Sequence, residues 1–137
     1  MKEKSAEMVE LMKLAAATAR KWWEVAGDEV NVLLAVVRLA YTHLAAQEGA
    51  VALAHAEDAV KRAEAPDTLA GFRLQAQIAL GRAQVMVGDL EAAKSTVIEA
   101  TTTYTQVPSE YQPEYTDQLA ALKTAAGVAK LKTDESP

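Results

Sequence analysis

The 137-residue chain contains no cysteine, only two histidines and few aromatic residues. The absence of cysteine excludes disulfide bonds, cysteine-ligated zinc sites and thiol chemistry. Two tryptophans, four tyrosines and one phenylalanine are few for a β-sandwich, whereas half of the residues are apolar and alanine is abundant. This composition suits helices that pack closely through small side chains, so we expect a single all-α domain.

Motifs that support catalysis, phosphate binding or metal binding are also missing. The sequence contains no HExxH or GxSxG motif and no glycine-rich phosphate loop. His55 has Glu57 and Asp58 nearby in sequence, but helical geometry does not bring all three to one face. His43 lies in an apolar helix, where we expect a neighbouring group to satisfy its ring. We therefore expect no enzymatic activity, no cofactor and no metal.

The charge of the chain argues against several partners. Its formal net charge is −5, and lysine and arginine are scattered along the sequence. Without a basic cluster it lacks the electrostatic footprint of nucleic-acid or anionic-membrane binding. No apolar run approaches the ~20 residues of a membrane span, and Glu7, Glu10 and Lys13 interrupt the N-terminal stretch that resembles a secretion signal. We expect a cytoplasmic protein that binds neither nucleic acid nor membranes.

Apolar residues recur at helical spacing in six segments. In the first, Trp22 lies on the apolar stripe and Trp23 at its margin. The second is apolar on nearly every side, so we expect it to be the central helix, with Arg38 and Thr42 on its most solvated line. The predicted helices cover residues 2–26, 29–47, 50–64, 68–87, 89–105 and 113–131, with a linker at 107–113 and a frayed tail at 132–137.

The clearest motif lies in the fourth and fifth predicted helices. A leucine–glycine pair ending at Gly81 precedes a Gly88–Asp89 pair by seven residues. Gly88 can end one helix in a left-handed conformation, and Asp89 can cap the next. Gly81 costs roughly 1 kcal/mol inside a helix relative to alanine, and we expect close approach of the next helix at Ala93 and Val97 to offset this cost.

A shift of 41 positions aligns the second and third helices with the fourth and fifth. Repetition of a helix pair is typical of stacked helical repeats, and chance agreement in an alanine-rich chain is the alternative. The aligned pairs are Leu39 with Leu80, Ala40 with Gly81, Ala52 with Ala93, Ala56 with Val97, and Ala59 with Ala100.

On these residues the chain resembles the tetratricopeptide repeat (TPR) family, whose units span ~34 residues. Gln77 and Gln84 replace the family's aromatic residues, and Gln47–Glu48 replaces Gly–Asp in the looser unit. The family positions that match are Leu80, Gly81, Gly88, Asp89, Ala93 and Ala100.

The TPR resemblance implies antiparallel helix-hairpin repeats that form an α-solenoid, and a closed helical bundle is the alternative. It divides a single domain at residues 1–131 into four parts. These are an N-terminal helix (1–27), a looser repeat (29–66), a clear repeat (67–107) and a C-terminal helix (113–131), followed by the tail at 132–137.

The resemblance also implies a concave groove, lined by the first helix of each unit, that binds a protein segment. Trp23 either packs within the chain or anchors a partner or a second copy, since tryptophan is enriched in binding hot spots. TPR domains bind peptide carboxylates with a clamp of lysine and asparagine residues. Among the implied groove residues of this chain the only cation is Arg82. The groove residues implied by position are Leu34, Val37, Tyr41, Leu44, Gln75, Ile78, Arg82, Val85 and Met86.

The apolar character of these groove positions admits two interpretations. Either the first helix covers them as core, or they form a slot for a partner helix or hydrophobic ligand. We expect a non-catalytic adaptor, scaffold or regulatory module with a protein or peptide partner, and self-association as a homodimer stays open. The alternative function is a small-molecule sensor with an apolar pocket among Leu34, Val37, Tyr41, Arg82 and Met86, roofed by the helix that carries Trp22.

Overall fold

The computed structural model describes residues 6–26 and 28–128, except the side chains of residues 25 and 26. Within these ranges the chain forms six α-helices and no strand, which confirms the all-α prediction. The predicted helix over residues 2–5, the extension of the last helix to residue 131 and the tail at 132–137 lie outside the described residues. The helices are α1 (Ala6–Ala26), α2 (Glu29–Ala45), α3 (Gly49–Arg62), α4 (Ala70–Met86), α5 (Leu90–Gln106) and α6 (Pro113–Ala126).

Each helix packs on helices that are one or two places away along the chain. Helix α4 contacts α2, α3, α5 and α6, whereas α2 contacts α1, α3 and α4. The prediction that α2 is the central helix is therefore wrong, and α4 takes that position. In the described part of the chain, no helix is long and apolar enough to cross a bilayer.

Small side chains form the contact between α3 and α4. Alanine loses no side-chain entropy on burial and allows two helix backbones to approach closely. The alanines at this contact are fully buried. Larger apolar residues from α2 pack on them in each of three clusters. These alanines are Ala52, Ala56 and Ala59 of α3, Ala63 directly after α3, and Ala76, Ala79 and Ala83 of α4.

The turn between α4 and α5 has the predicted geometry. Gly88 has a φ of 86°, and its N–H donates to the Val85 carbonyl at 3.0 Å. The Asp89 N–H donates to the Gln84 carbonyl at 2.9 Å, and its side chain accepts from the Ala92 N–H at 3.2 Å. The glycine and the capping aspartate thus act as expected.

The turn between α2 and α3 adopts the same geometry without glycine. Gln47 has a φ of 64°, its N–H donates to the Leu44 carbonyl, and the Glu48 N–H donates to the His43 carbonyl. Each of these residues lies 41 positions before its counterpart at the α4–α5 turn. The starts of α2 and α3 and the end of α2 also recur after 41 residues.

Gly81 is tightly packed, but not against the predicted neighbours. A Cβ atom at this position would lie 2.6 Å from Leu122 Cδ2 and 3.0 Å from Leu122 Cδ1. The close approach therefore comes from α6, whereas we expected it from Ala93 and Val97 of α5. Glycine at 81 leaves room for the Leu122 side chain, which is 1% exposed.

Two surface predictions are also wrong. Trp22 is 61% exposed, whereas Trp23 is half-buried and packs on the cluster that contains Val32 and Val36. Helix α1 therefore presents a different face to the core than its apolar stripe suggested. Thr42 is buried, and its hydroxyl donates to the Arg38 carbonyl at 2.9 Å, which satisfies the hydroxyl within α2.

Replacement of Gly81 by alanine is expected to lower the free energy of unfolding by about 1–2 kcal/mol, because the added methyl group would overlap Leu122. Gly71→Ala is the matched control in the same helix, where the nearest atom to a new Cβ would be the Tyr115 hydroxyl at 3.4 Å. Urea unfolding monitored by circular dichroism measures both changes.

In a double variant, Leu122→Ala should offset part of the Gly81→Ala effect, because the shorter side chain makes room for the methyl group. Equal destabilisation at Gly71 and Gly81, or strict additivity with Leu122→Ala, would contradict the overlap.

Candidate functional site

An open groove runs along the surface between α2 and α4. It encloses about 370 Å³. The four α2 residues that line it lie within two helical turns, at spacings of three or four residues, so they share one face of that helix. The lining residues are Leu34, Val37, Arg38 and Tyr41 of α2 and Phe72 and Gln75 of α4.

Tyr41 and Arg82 form the main polar contact beside this groove. The Arg82 guanidinium carbon lies 5.4 Å from the centroid of the Tyr41 ring, within the range of a cation–π interaction. Burial raises the pKa of the Tyr41 phenol, and the positive charge of Arg82 partly opposes this effect. The phenol is therefore neutral at physiological pH, and its ring stays available as an apolar wall.

Gln75 connects the groove to α6. Its Nε2 donates to the Tyr115 hydroxyl at 3.1 Å, and Tyr115 is buried among residues of α4, α5 and α6. Gly71 lies next to this contact, because a Cβ atom at position 71 would be 3.4 Å from the Tyr115 hydroxyl. The orientation of the Gln75 amide is thus fixed by a buried neighbour.

The groove carries positive charge in an acidic protein. Arg38 and Arg82 are both exposed, and among the described residues neither lies within ion-pair distance of a carboxylate. None of the lining residues is acidic. Two cationic groups beside an apolar floor favour an anionic group on whatever binds there.

The structure brings five of the predicted groove residues together: Leu34, Val37, Tyr41, Gln75 and Arg82. Arg38 and Phe72 also line the groove, although the predicted set lacks them. Arg38 follows Leu34 by one turn, and Phe72 precedes Gln75 by three residues. Helical spacing from the predicted residues is the signal that identifies both.

The other predicted site residues lie elsewhere. Leu44 is buried with Ala52 and Ala83, and Ile78 is buried against residues of α5 and α6. Val85 packs on the cluster around Val97 and Leu122. Met86 lies against the start of α3, where its Cγ would be 2.9 Å from a Cβ at Gly49. Trp23 packs on the core between α2 and α3.

Helix α1 does not cover the groove. It packs on the face of α2 that carries Leu39 and His43, and within the described ranges it makes no contact with α4. The interpretation in which the first helix buries the groove residues is therefore wrong. The pocket of the alternative small-molecule function also loses its roof, because Trp22 lies on α1.

A polar cluster joins α1 to α2 and α3 on the other side of the molecule. The Glu48 carboxylate accepts from Lys13 Nζ at 2.7 Å and lies 2.6 Å from His43 Nδ1. The His43 and His55 rings are stacked with centroids 5.3 Å apart. His43 is thus satisfied by a neighbour, as expected, and in the described part of the chain no group of three ligating side chains could hold a metal ion.

This cluster shifts the pKa values of its members. Burial lowers the pKa of His55, and repulsion from His43 and Arg20 lowers it further, against the attraction of Asp58. Hydrogen bonds from Lys13 and His43 lower the pKa of Glu48 below its ordinary 4.5. The two groups therefore respond in different pH ranges.

We expect stability to fall as the pH drops below about 6.5, because the unfolded chain then binds a proton at His55 more strongly than the folded chain does. The contribution of His55 to stability is therefore fully present above that pH. In His55→Gln, mild acidification should cause a smaller fall in stability than in the native chain. Thermal unfolding between about pH 7 and pH 5.5 measures this difference.

A titration of both imidazoles by NMR provides the control. The His55 midpoint should lie below that of a free histidine and should rise in His43→Gln, which removes the repulsion. An ordinary midpoint in the native protein, unchanged by His43→Gln, would contradict the assignment.

Comparisons of the chain with known protein families, with curated proteins and with solved structures found no match.

Proposed function

We propose that this chain is a TPR-like helical-repeat module that recognises a protein segment in the groove between α2 and α4. In this proposal the module is non-catalytic and acts as an adaptor or regulatory domain. The observation that carries it is the open groove, where an apolar floor lies beside two arginines that have no acidic partner among the described residues.

The repeated geometry of the two hairpins supports the TPR-like assignment. Helices α2 and α4 begin at residues 29 and 70 and end at residues 45 and 86, an offset of 41 in both cases. Their turns contain the same backbone hydrogen bonds, and each turn has a left-handed residue at the equivalent position. Contacts of α2 with α4 and of α4 with α6 are those expected when successive hairpins stack.

The chemistry of the groove favours a short peptide. Its volume is at the lower end of ligand sites and suits one or two bulky apolar side chains. Leu34, Phe72 and the ring of Tyr41 supply apolar contacts, and Gln75 offers an oriented amide. Arg38 and Arg82 attract acidic residues beside the apolar anchor. We therefore propose an acidic peptide that carries a large apolar residue.

The same lining supports a binding role in preference to catalysis. Arginine is always protonated near neutral pH, and burial raises the pKa of the Tyr41 phenol. The lining residues include no histidine, carboxylate or serine that could act as a base or nucleophile. These groups can orient and neutralise a ligand, which suits recognition.

A displayed library of random peptides, selected on the whole protein, tests this proposal. We expect selection of peptides that combine aspartate or glutamate with a large apolar residue. Arg82→Glu should weaken their affinity at least about tenfold, because it reverses the charge that faces the ligand's carboxylate. Fluorescence anisotropy measures the dissociation constants.

Lys61→Glu is the matched control, since it makes the same charge change at an exposed position of α3. Arg38→Glu should resemble Arg82→Glu, whereas Lys61→Glu should leave the affinity nearly unchanged. Selected peptides that bind all three variants equally, or a library that yields none, would contradict the proposal.

A further inference from the structure

Helix α1 presents a second apolar face to solvent. Leu11 and Leu14 are each 65% exposed, and Trp22 is 61% exposed. With the exposed Thr18 between Leu14 and Trp22, these residues are spaced three, four and four positions apart. They therefore form one continuous stripe along the helix. On the opposite side of the helix Ala16 is 2% exposed against the rest of the protein.

The opposite face of α1 is already in contact with the rest of the protein, so this stripe stays exposed. Lys13 Nζ lies 2.7 Å from Glu48 Oε2, and Arg20 Nη2 lies 3.1 Å from Asp58 Oδ2. Both pairs join α1 to the α3 side of the molecule. The Trp22 ring is further held by an edge contact with Trp23, with centroids 4.6 Å apart.

The charges that flank the stripe complement each other when the helix is reversed. Glu7 and Lys21 are exposed on the same face as Leu14, at seven residues on either side of it. Neither belongs to an ion pair among the described residues. A parallel copy would place like charges together, whereas an antiparallel copy brings Glu7 of one chain near Lys21 of the other.

We propose that the stripe is covered by a second copy of this chain, with α1 packed antiparallel on α1 around a two-fold axis near Leu14. Such an interface is isologous, so each helix supplies the same apolar residues and the same pair of charges. It lies on the side of α2 away from the groove between α2 and α4. Both grooves of the dimer therefore remain open.

The size of the interface determines its strength. One helix from each copy lies at the low end of specific interface areas, so the dimer should form at micromolar concentrations and dissociate on dilution. Sedimentation equilibrium of the whole chain from about 1 µM to about 500 µM covers this range. A concentration-dependent shift from monomer to dimer is the expected result, and a monomer throughout would overturn the proposal.

Three variants test the residues of the interface. Leu14→Asp should leave only monomer, while circular dichroism should show a folded protein because Leu14 is exposed. Ile98→Asp is the matched control, since Ile98 is 66% exposed on α5, and it should dimerise as the native chain does. Glu7→Lys should weaken dimerisation at least about tenfold, because two lysines would then face each other.

Charge variants of Glu7 and Lys21, compared with the native chain, test the antiparallel direction. Glu7→Lys and Lys21→Glu should each dimerise poorly alone, but together they should form a heterodimer in which every pair is complementary. In a parallel dimer of the native chain Glu7 would face Glu7 and Lys21 would face Lys21, so neither single change would weaken association, whereas in the antiparallel dimer each single change does. A dimer that is insensitive to Leu14→Asp or to either single charge change, or a mixture that fails to restore association, would overturn the proposal.

Discussion

The packing of α4 through small residues is the constraint on which the rest of the structure depends. Three alanines of α4 lie against the alanines of α3, and Gly81 admits the Leu122 side chain from α6. These contacts bring the backbones close enough for α4 to pack on α2, α3, α5 and α6 at once. The groove follows from this arrangement, because α3 fills one side of the α2–α4 pair and leaves the other side open.

Local signals predicted the helices and the turn at Gly88, where residue type and backbone conformation agree. Gln47 shows their limit: the chain adopts the same left-handed turn there although glutamine is disfavoured, because the flanking helices determine the geometry. Hydrophobic periodicity also could not predict which face of α1 is buried. That helix is apolar on two faces, and the buried one is the face on which Ala16, Trp23 and the ion pairs of Lys13 and Arg20 meet residues that are distant in sequence.

The candidate site was only partly predicted, because local spacing does not show how the other helices pack. Tyr41 and Arg82 are in contact beside the groove between α2 and α4, and helical spacing extends the set to Arg38. Ile78 and Val85 were expected in the groove, but α5 and α6 pack on that side of α4 and bury them. A register assigns residues to a helix face, whereas the position of the following helices determines how much of that face stays exposed.

The attachment of α1 differs from that of the other helices. It packs on α2, Trp23 contacts the buried cluster around Val32 and Val36, and the remaining links to the described part of the molecule are partly exposed ion pairs, which salt screens. Proteins open in cooperative units whose free energies depend on buried contact. The backbone amides of α1 should therefore exchange with solvent through local detachment of this helix, whereas those of α4 should exchange only when the whole domain unfolds.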